Sequence, residues 1–317
     1  MTSAKPGSRK GLLSREDYLA PPAVPTGQTP KDVLNIIWRK NEVFLDIGSY
    51  SIGSFVMVLW PVVLIFLWMG WAMGFESLDV LFWYGFMCFC GFPILMLIYI
   101  LSRPVPPPVR FNRQRREVCV PFDDGHYWIV PWEQVTAQAV AMDSVGRHGK
   151  ITQGLLVVGF RNPDPDAPEK ERDFSLGFSC GGGETAMRLW ECMRSYMEVG
   201  ADAIPLGNDL EGIRGKLGSK GIFWGVWYGF FIDIRDHLMA REFGQALSFF
   251  ASIFLLGTPL VMMLQVWKLA PPPELTNPEI IEWSKPLPPE QWAQRSPELE
   301  QAIRLYQAEL AEESQVA

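Results

Sequence analysis

Histidine is scarce in this sequence and cysteine is unpaired. Three histidines (His126, His148, His237) and five cysteines occur among 317 residues, and no C-x-x-C or Cys/His pairing joins them. Cys88 and Cys90 fall inside an apolar run, while Cys119, Cys180 and Cys192 are scattered. Such usage excludes a disulfide framework and offers no zinc ligand set. A cationic excess is also missing: the formal net charge is −7, so the chain lacks the electrostatic footing for a nucleic-acid partner. Three long apolar runs contain no Asp, Glu, Lys, Arg or His. Ionisable residues in such runs mark transport paths and proton relays, so a transporter or pump is disfavoured.

Catalysis needs acid, base, nucleophile and electrophile brought together, and the raw material is thin. The histidines lie on an expected hairpin, a turn and a pre-membrane segment, none beside a serine or cysteine nucleophile. Asp123 and Asp124 suit a tight turn better than a catalytic pair. Gly181-Gly182-Gly183 precedes a helical pattern and has backbone N–H groups to offer a phosphate, but the Lys-Ser/Thr of a P-loop is absent. Flexible strand-to-helix linkage is the preferred reading. The expectation is a non-enzymatic protein with no cofactor and no metal site.

Apolar residues make up 48% of the chain, with 13 Trp and 20 Phe, as in membrane proteins. Crossing a hydrocarbon core takes roughly 20 apolar residues, and three segments qualify: 47–75, 80–102 and 243–267. Only Glu76-Ser-Leu-Asp79 separates the first two, which predicts a two-helix transmembrane hairpin over 47–102. Pro61, Pro93 and Pro259 read as mid-span kinks that neighbouring helices support. Gly70-x-x-x-Gly74 offers a close helix contact through which two copies would associate as a homo-oligomer. Lys31, Arg39 and Lys40 precede the first span, Arg103 to Arg116 follow the second, and Arg235 and Arg241 precede the third. The positive-inside rule then puts the N-terminus and residues 103–242 in the cytoplasm and the tail outside, in the periplasm of a bacterial inner membrane.

Between the second and third spans the pattern breaks into short runs bounded by turn residues, the signature of strands. Strands are expected at 109–111, 117–122, 126–130, 135–142, 155–160 and 174–179, with Asp124-Gly125 marking a hairpin. An amphipathic helix follows, with Ala186, Leu189, Trp190, Met193 and Met197 on one face. Strands followed by one helix describe an inserted α+β domain over 103–200, a small β-barrel or bent sandwich like pleckstrin-homology (PH) domains. Its early hairpin carries Arg110, Arg113, Arg115 and Arg116. They read as membrane-surface charges that fix topology and meet lipid headgroups at about 1 kcal/mol each, or as a specific lipid site.

Residues 201–242 are a linker leading to GIFWGVWYGFFIDIRDHL, an interfacial or re-entrant helix with Trp224, Trp227 and Tyr228 as headgroup-level anchors. Within the 1–46 segment, residues 33–46 predict a second flat interfacial helix opened by Thr29-Pro30. The 268–317 tail is Pro-rich and acidic and ends in an amphipathic helix, set to dock a partner or to fold back.

The string FNRQRREV at 111–118, a glycine hairpin, and VPWEQVTAQ at 130–138, all after a two-helix hairpin, resemble an uncharacterised family of proteobacterial inner-membrane proteins. Members of that family are often encoded beside type VI secretion genes. The resemblance covers 30–267 in layout and 110–138 in motif. It implies membrane lipids and a protein partner, such as a secreted toxin that this chain would neutralise as an immunity protein, or an effector that it would assist. It carries no catalytic residues. The rival reading is a lipid-sensing scaffold acting through the PH-like domain.

Overall fold

The computed structural model describes residues 7–11, 14–19, 21–48, 50, 52–75, 79–122, 124–146, 149–207, 212, 214–215 and 221–316. Its helices are α1 (Gly53–Met73), α2 (Val80–Ser102, with a π turn over Met87–Gly91), α3 (Gly183–Glu198), α4 (Gly221–Met239), α5 (Phe243–Leu256), α6 (Thr258–Leu269), α7 (Pro278–Trp283) and α8 (Pro297–Val316). The chain forms two compact units. One joins Met1–Ser49, Pro106–Asn208 and Glu274–Ala317; the other joins Tyr50–Val105 and Asp209–Pro273.

The first unit holds two five-stranded antiparallel sheets. One runs β1 (Gly7–Lys10), β2 (Ser14–Tyr18), β8 (Thr136–Gly146), β9 (Gly149–Arg161), β10 (Asp173–Ser179). The other is a meander of β3 (Ile37–Lys40), β4 (Phe44–Ile47), β5 (Val109–Asn112), β6 (Glu117–Pro121) and β7 (Tyr127–Pro131). Strand alternation builds the core: Leu45, Ile47, Val109, Phe111, Val118, Val120 and Val130 are buried together with Leu156, Val158 and Phe160. The expected α3 face, Ala186, Leu189, Trp190, Met193 and Met197, completes it. The six expected strands and the helix are all present, while β1 to β4 are additional. The Asp124-Gly125 hairpin joins β6 to β7, with Gly125 at φ = 86° and Phe122 N–H donating to the His126 carbonyl at 2.9 Å; Asp123 lies outside the described residues, as do 147 and 148 of the expected 144–150 turn, whose other residues are the paired ends of β8 and β9.

Residues 33–46 are not a helix. Asn41 turns the chain, its Oδ1 accepting from the N–H groups of Val43 and Phe44 at 2.8 Å, and β3 and β4 pair on either side of it. The apolar residues Ile37, Leu45 and Ile47 thereby enter the core instead of facing a membrane. β4 and β5 are neighbours in the meander, Ile47 lying opposite Val109. The whole of 48–108 is therefore an insertion whose two ends are held on adjacent strands.

In the second unit α1 and α2 are long and apolar enough to cross a membrane. They meet through Phe66, whose ring lies 5.7 Å from Phe82 and 6.0 Å from Phe86. Helix α1 runs unbroken through Pro61. In α2 the π turn ends just before Pro93, where the ring crowds the preceding turn. Asp79 caps α2, accepting from Phe82 N–H at 3.0 Å; residues 76–78 of the expected loop lie outside the described residues.

Two readings of this unit are corrected. Gly74 is not in a helix face: at φ = 76° it ends α1, and Gly70 meets the ring of Phe75 from the following turn, so the pair is a helix stop. The expected third span is two helices, α5 and α6, bent by 73°. Gly257, at φ = 64°, closes α5 and Pro259 opens α6, the usual stop and start residues. Trp60 braces the bend, its Nε1 donating to the Phe254 carbonyl at 2.8 Å.

The tail is also corrected. Residues from Glu274 onward belong to the same folded unit as 106–208, whereas the expectation set the two on opposite sides of a membrane. Ser175 and Gln301 are both exposed in that unit. Cysteines placed at the two positions are expected to react with a membrane-impermeant maleimide from the same side of sealed vesicles. Labelling from opposite sides would overturn the shared unit.

Candidate functional site: the arginine turn and the C-terminal strap

One row of side chains crosses the outer face of the second sheet. Arg39 lies opposite Asp46, Asp46 opposite Arg110, Arg110 opposite Cys119, and Cys119 opposite Ile129. Such a row would ordinarily face water. Here the strap formed by 274–296 covers it: Leu275 and Ile280 are buried against Cys119, with Trp283, Tyr127 and Ile129 around them.

Arg110 is at the centre. It grips Asp46 with two parallel bonds, Nε to Oδ1 at 2.6 Å and Nη2 to Oδ2 at 2.7 Å, reaches Ser284 Oγ at 2.9 Å and lies over the Phe44 ring at 3.8 Å. Asp46 is 0% and Arg110 6% exposed. Burial pushes the Asp46 carboxyl up, and Arg110 and Arg39 pull it back. Arg110, expected at a headgroup-facing surface, is instead buried and paired inside the fold.

The other three arginines sit in the tight turn between β5 and β6, closed by Arg116 N–H donating to the Arg113 carbonyl at 3.3 Å. Arg113 Nη2 donates to the Val199 carbonyl at 2.9 Å, its guanidinium lying 5.5 Å from the Trp292 ring centre. Arg115 Nε and Asn112 Nδ2 both donate to the Trp283 carbonyl, at 2.9 and 3.0 Å. Gln114, between them, accepts Leu287 N–H on its side chain at 2.6 Å and Ala293 N–H on its carbonyl at 2.8 Å. Trp283 Nε1 returns a bond to Glu117 at 2.7 Å. The turn is thus a docking plug for the strap.

Arg116 occupies the left-handed region at φ = 52°, a conformation non-glycine residues adopt rarely. Its Nη2 meets Glu198 Oε1 at 2.9 Å. Glu198 also accepts from Trp132 Nε1 at 2.8 Å and from Arg295 Nε at 2.7 Å. Burial pushes the Glu198 carboxyl up, but Arg116, Arg295 and Trp132 outweigh it, and the net shift is downward. A parallel cluster fastens the N-terminal segment: Glu191 on α3 takes Thr26 Oγ1 at 2.9 Å and Arg194 Nε at 2.6 Å.

Of the proposed interfacial anchors, Trp224 is 69% and Tyr228 52% exposed on α4, whereas Trp227 is half-buried. Chemistry finds little to use. Burial pushes the thiols of Cys119 and Cys192 up to about 12 and that of Cys180 up to about 11, so they stay protonated at neutral pH. Among the described residues no group of three or more His, Cys, Asp or Glu is placed to hold a metal. Asp46, Gln114, Glu198 and Trp283 were not singled out from sequence; their importance depends on register and on a strap that folds back from far along the chain, which no local pattern announces. No family model, curated protein or solved structure matches the chain.

Proposed function

We propose that the chain is a non-enzymatic integral membrane protein whose β-rich unit binds a protein partner at the membrane surface. Following the resemblance in FNRQRREV and VPWEQVTAQ, its setting is type VI secretion at a bacterial inner membrane, as an immunity or effector-accessory protein. The observation that carries the binding reading is the insertion of 48–108 between paired strands β4 and β5. A helical hairpin that leaves and re-enters one sheet tethers a prefolded unit to the membrane at two adjacent points. Three distant chain segments consolidate that unit, an arrangement suited to presenting a fixed surface. By the positive-inside rule this unit faces the cytoplasm, and the tail goes with it. The bent α5–α6 pair then enters and leaves on one side, as a re-entrant element.

The lipid-sensing alternative draws on two antiparallel sheets followed by a helix, an order like that of PH domains. Its arginines are the weak point, because Arg110 and Arg115 are engaged within the fold and with the strap. Deleting the gene in a strain that competes with sister cells through type VI secretion tests the main reading. Loss of survival against the parent, restored by the full chain, supports it; survival equal to the parent overturns the immunity role.

A further inference from the structure

The far end of the β6–β7 hairpin holds a cavity of about 330 Å³. That is at the small end of ligand pockets, which run roughly 300–1,000 Å³, and suits one side-chain-sized guest. Its lining is Phe122, Trp128, Phe174 and His126, with Asp124, Glu171 and Asp173. Aromatic faces and carboxylates are the two groups that attract a cation, and here they converge from two sheets.

The aromatic floor is preorganised. Phe122 and Phe174 pack on the main core and Trp128 is part of it. The Phe122 ring centre lies 4.7 Å from both His126 and Trp128 and 5.3 Å from Phe174. His126 is fixed by its neighbours: Trp128 Nε1 donates to its Nε2 at 3.2 Å, and its Nδ1 faces Asp124 Oδ1 at 3.3 Å. The imidazole ring is a fourth aromatic wall of the cavity. His126 N–H holds the Asp124 carboxyl below its ordinary range, so this acid stays ionised. Glu171 and Asp173 are exposed at the rim. Among the described residues no Lys or Arg lines the cavity; Arg161 lies opposite Asp173 across the β9–β10 pair, and Arg172 turns to the Ala167 carbonyl.

We propose that this cavity receives an arginine side chain from a basic segment of a partner protein. A guanidinium lies flat on an aromatic face by cation–π attraction while its five donors serve the carboxylate rim. A quaternary ammonium would use the floor but leave the rim acceptors unserved. The inference does not rest on the secretion setting, since the recognition chemistry is the same whatever the partner does.

The test uses the full chain in detergent micelles and Nα-acetylarginine methylamide, observed by saturation-transfer NMR. The neutral isostere, the acetylcitrulline methylamide, is the control. Millimolar binding of the arginine probe is expected, at least tenfold weaker for citrulline. A Glu171→Gln/Asp173→Asn variant, changing exposed groups at constant shape, is expected to lose at least tenfold with an unchanged melting temperature. Phe122→Leu supplies a second variant that reads the floor separately, with at least a threefold loss. Equal binding of citrulline, or full affinity in the charge variant, overturns the site; tighter binding of tetramethylammonium than of arginine overturns the assignment of its guest.

Discussion

Replacing Glu198 by glutamine is expected to lower stability by about 3–5 kcal/mol, the usual cost of breaking a buried ion pair from one side, and to release the strap. Glu198 is 2% exposed at its side chain, while Arg116 is 10% and Arg295 39% exposed. The amide keeps one acceptor for Trp132, but it leaves the buried Arg116 with only Glu133, at 3.7 Å, as a counter-charge, and in a left-handed conformation with less to hold it there. Arg295 lies in the strap and loses its anchor at the same time. The wild-type protein should also show an acid-labile step. The Glu198 carboxyl is held below its ordinary value of 4.5, so its contribution is complete above that value and is lost as pH falls through the lower folded-state value. Thermal melts of the detergent-solubilised chain between pH 3 and 7 check both points: the glutamine variant should melt lower at pH 7 and lack this acid dependence. Tryptic cleavage after Arg295, which Glu198 holds in the native fold, should accelerate in parallel. An unchanged melting temperature with unchanged cleavage would sink the hub as the strap's anchor.

How far sequence reaches is visible in the same residues. The six strands of 109–179 and helix α3 were legible because alternation and a 3.6-residue stripe are local. Val118 and Val120 point one way, Glu117 and Cys119 the other, whatever surrounds them. The helix stop at Gly257 followed by Pro259 was equally local, but a continuous apolar run masked it, since hydropathy averages over length and a left-handed glycine does not change it. Residues 33–46 misled for a related reason. Four-residue strands are too short to separate a period of 2 from one of 3.6, and only the pairing of β4 with β5 across the insertion decides between them. The arginines illustrate the limit most directly. Four cations just beyond a hydrophobic run are what a membrane edge requires, and equally what two carboxylates, two peptide carbonyls and a folded-back tail require. Charge patterning sees the donors, and the acceptors of Arg110, Arg113, Arg115 and Arg116 are supplied by Asp46, Val199, Trp283 and Glu198, which fold in from elsewhere.

Arg110→Met is expected to destabilise the first unit by about 3–5 kcal/mol, and pairing it with Asp46→Leu should recover most of the loss. Alone, methionine fills the volume but strands a carboxylate that is 0% exposed, its nearest remaining cation being Arg39 at 3.7 Å. Removing both charges leaves an apolar pair across β4 and β5 beneath Leu275, Ile280 and Trp283, surroundings that accept it. Such replacements of buried pairs are often neutral. The residual deficit is the bond to Ser284, on the order of 1 kcal/mol, together with Arg39 left facing leucine. The cycle of two single variants and the double, followed by thermal melts, yields the coupling directly. A double variant as unstable as Arg110→Met alone would mean that the strap and sheet, not the pair, suffer from the change. Recovery would place the ion pair where its position implies it belongs. It joins the two strands from which the helical hairpin departs and returns, next to Ile47 and Val109, so its loss loosens the base of the insertion as well as the seat of the strap. Faster amide exchange across β4 and β5 in the single variant, suppressed in the double, would separate that effect from release of the strap alone.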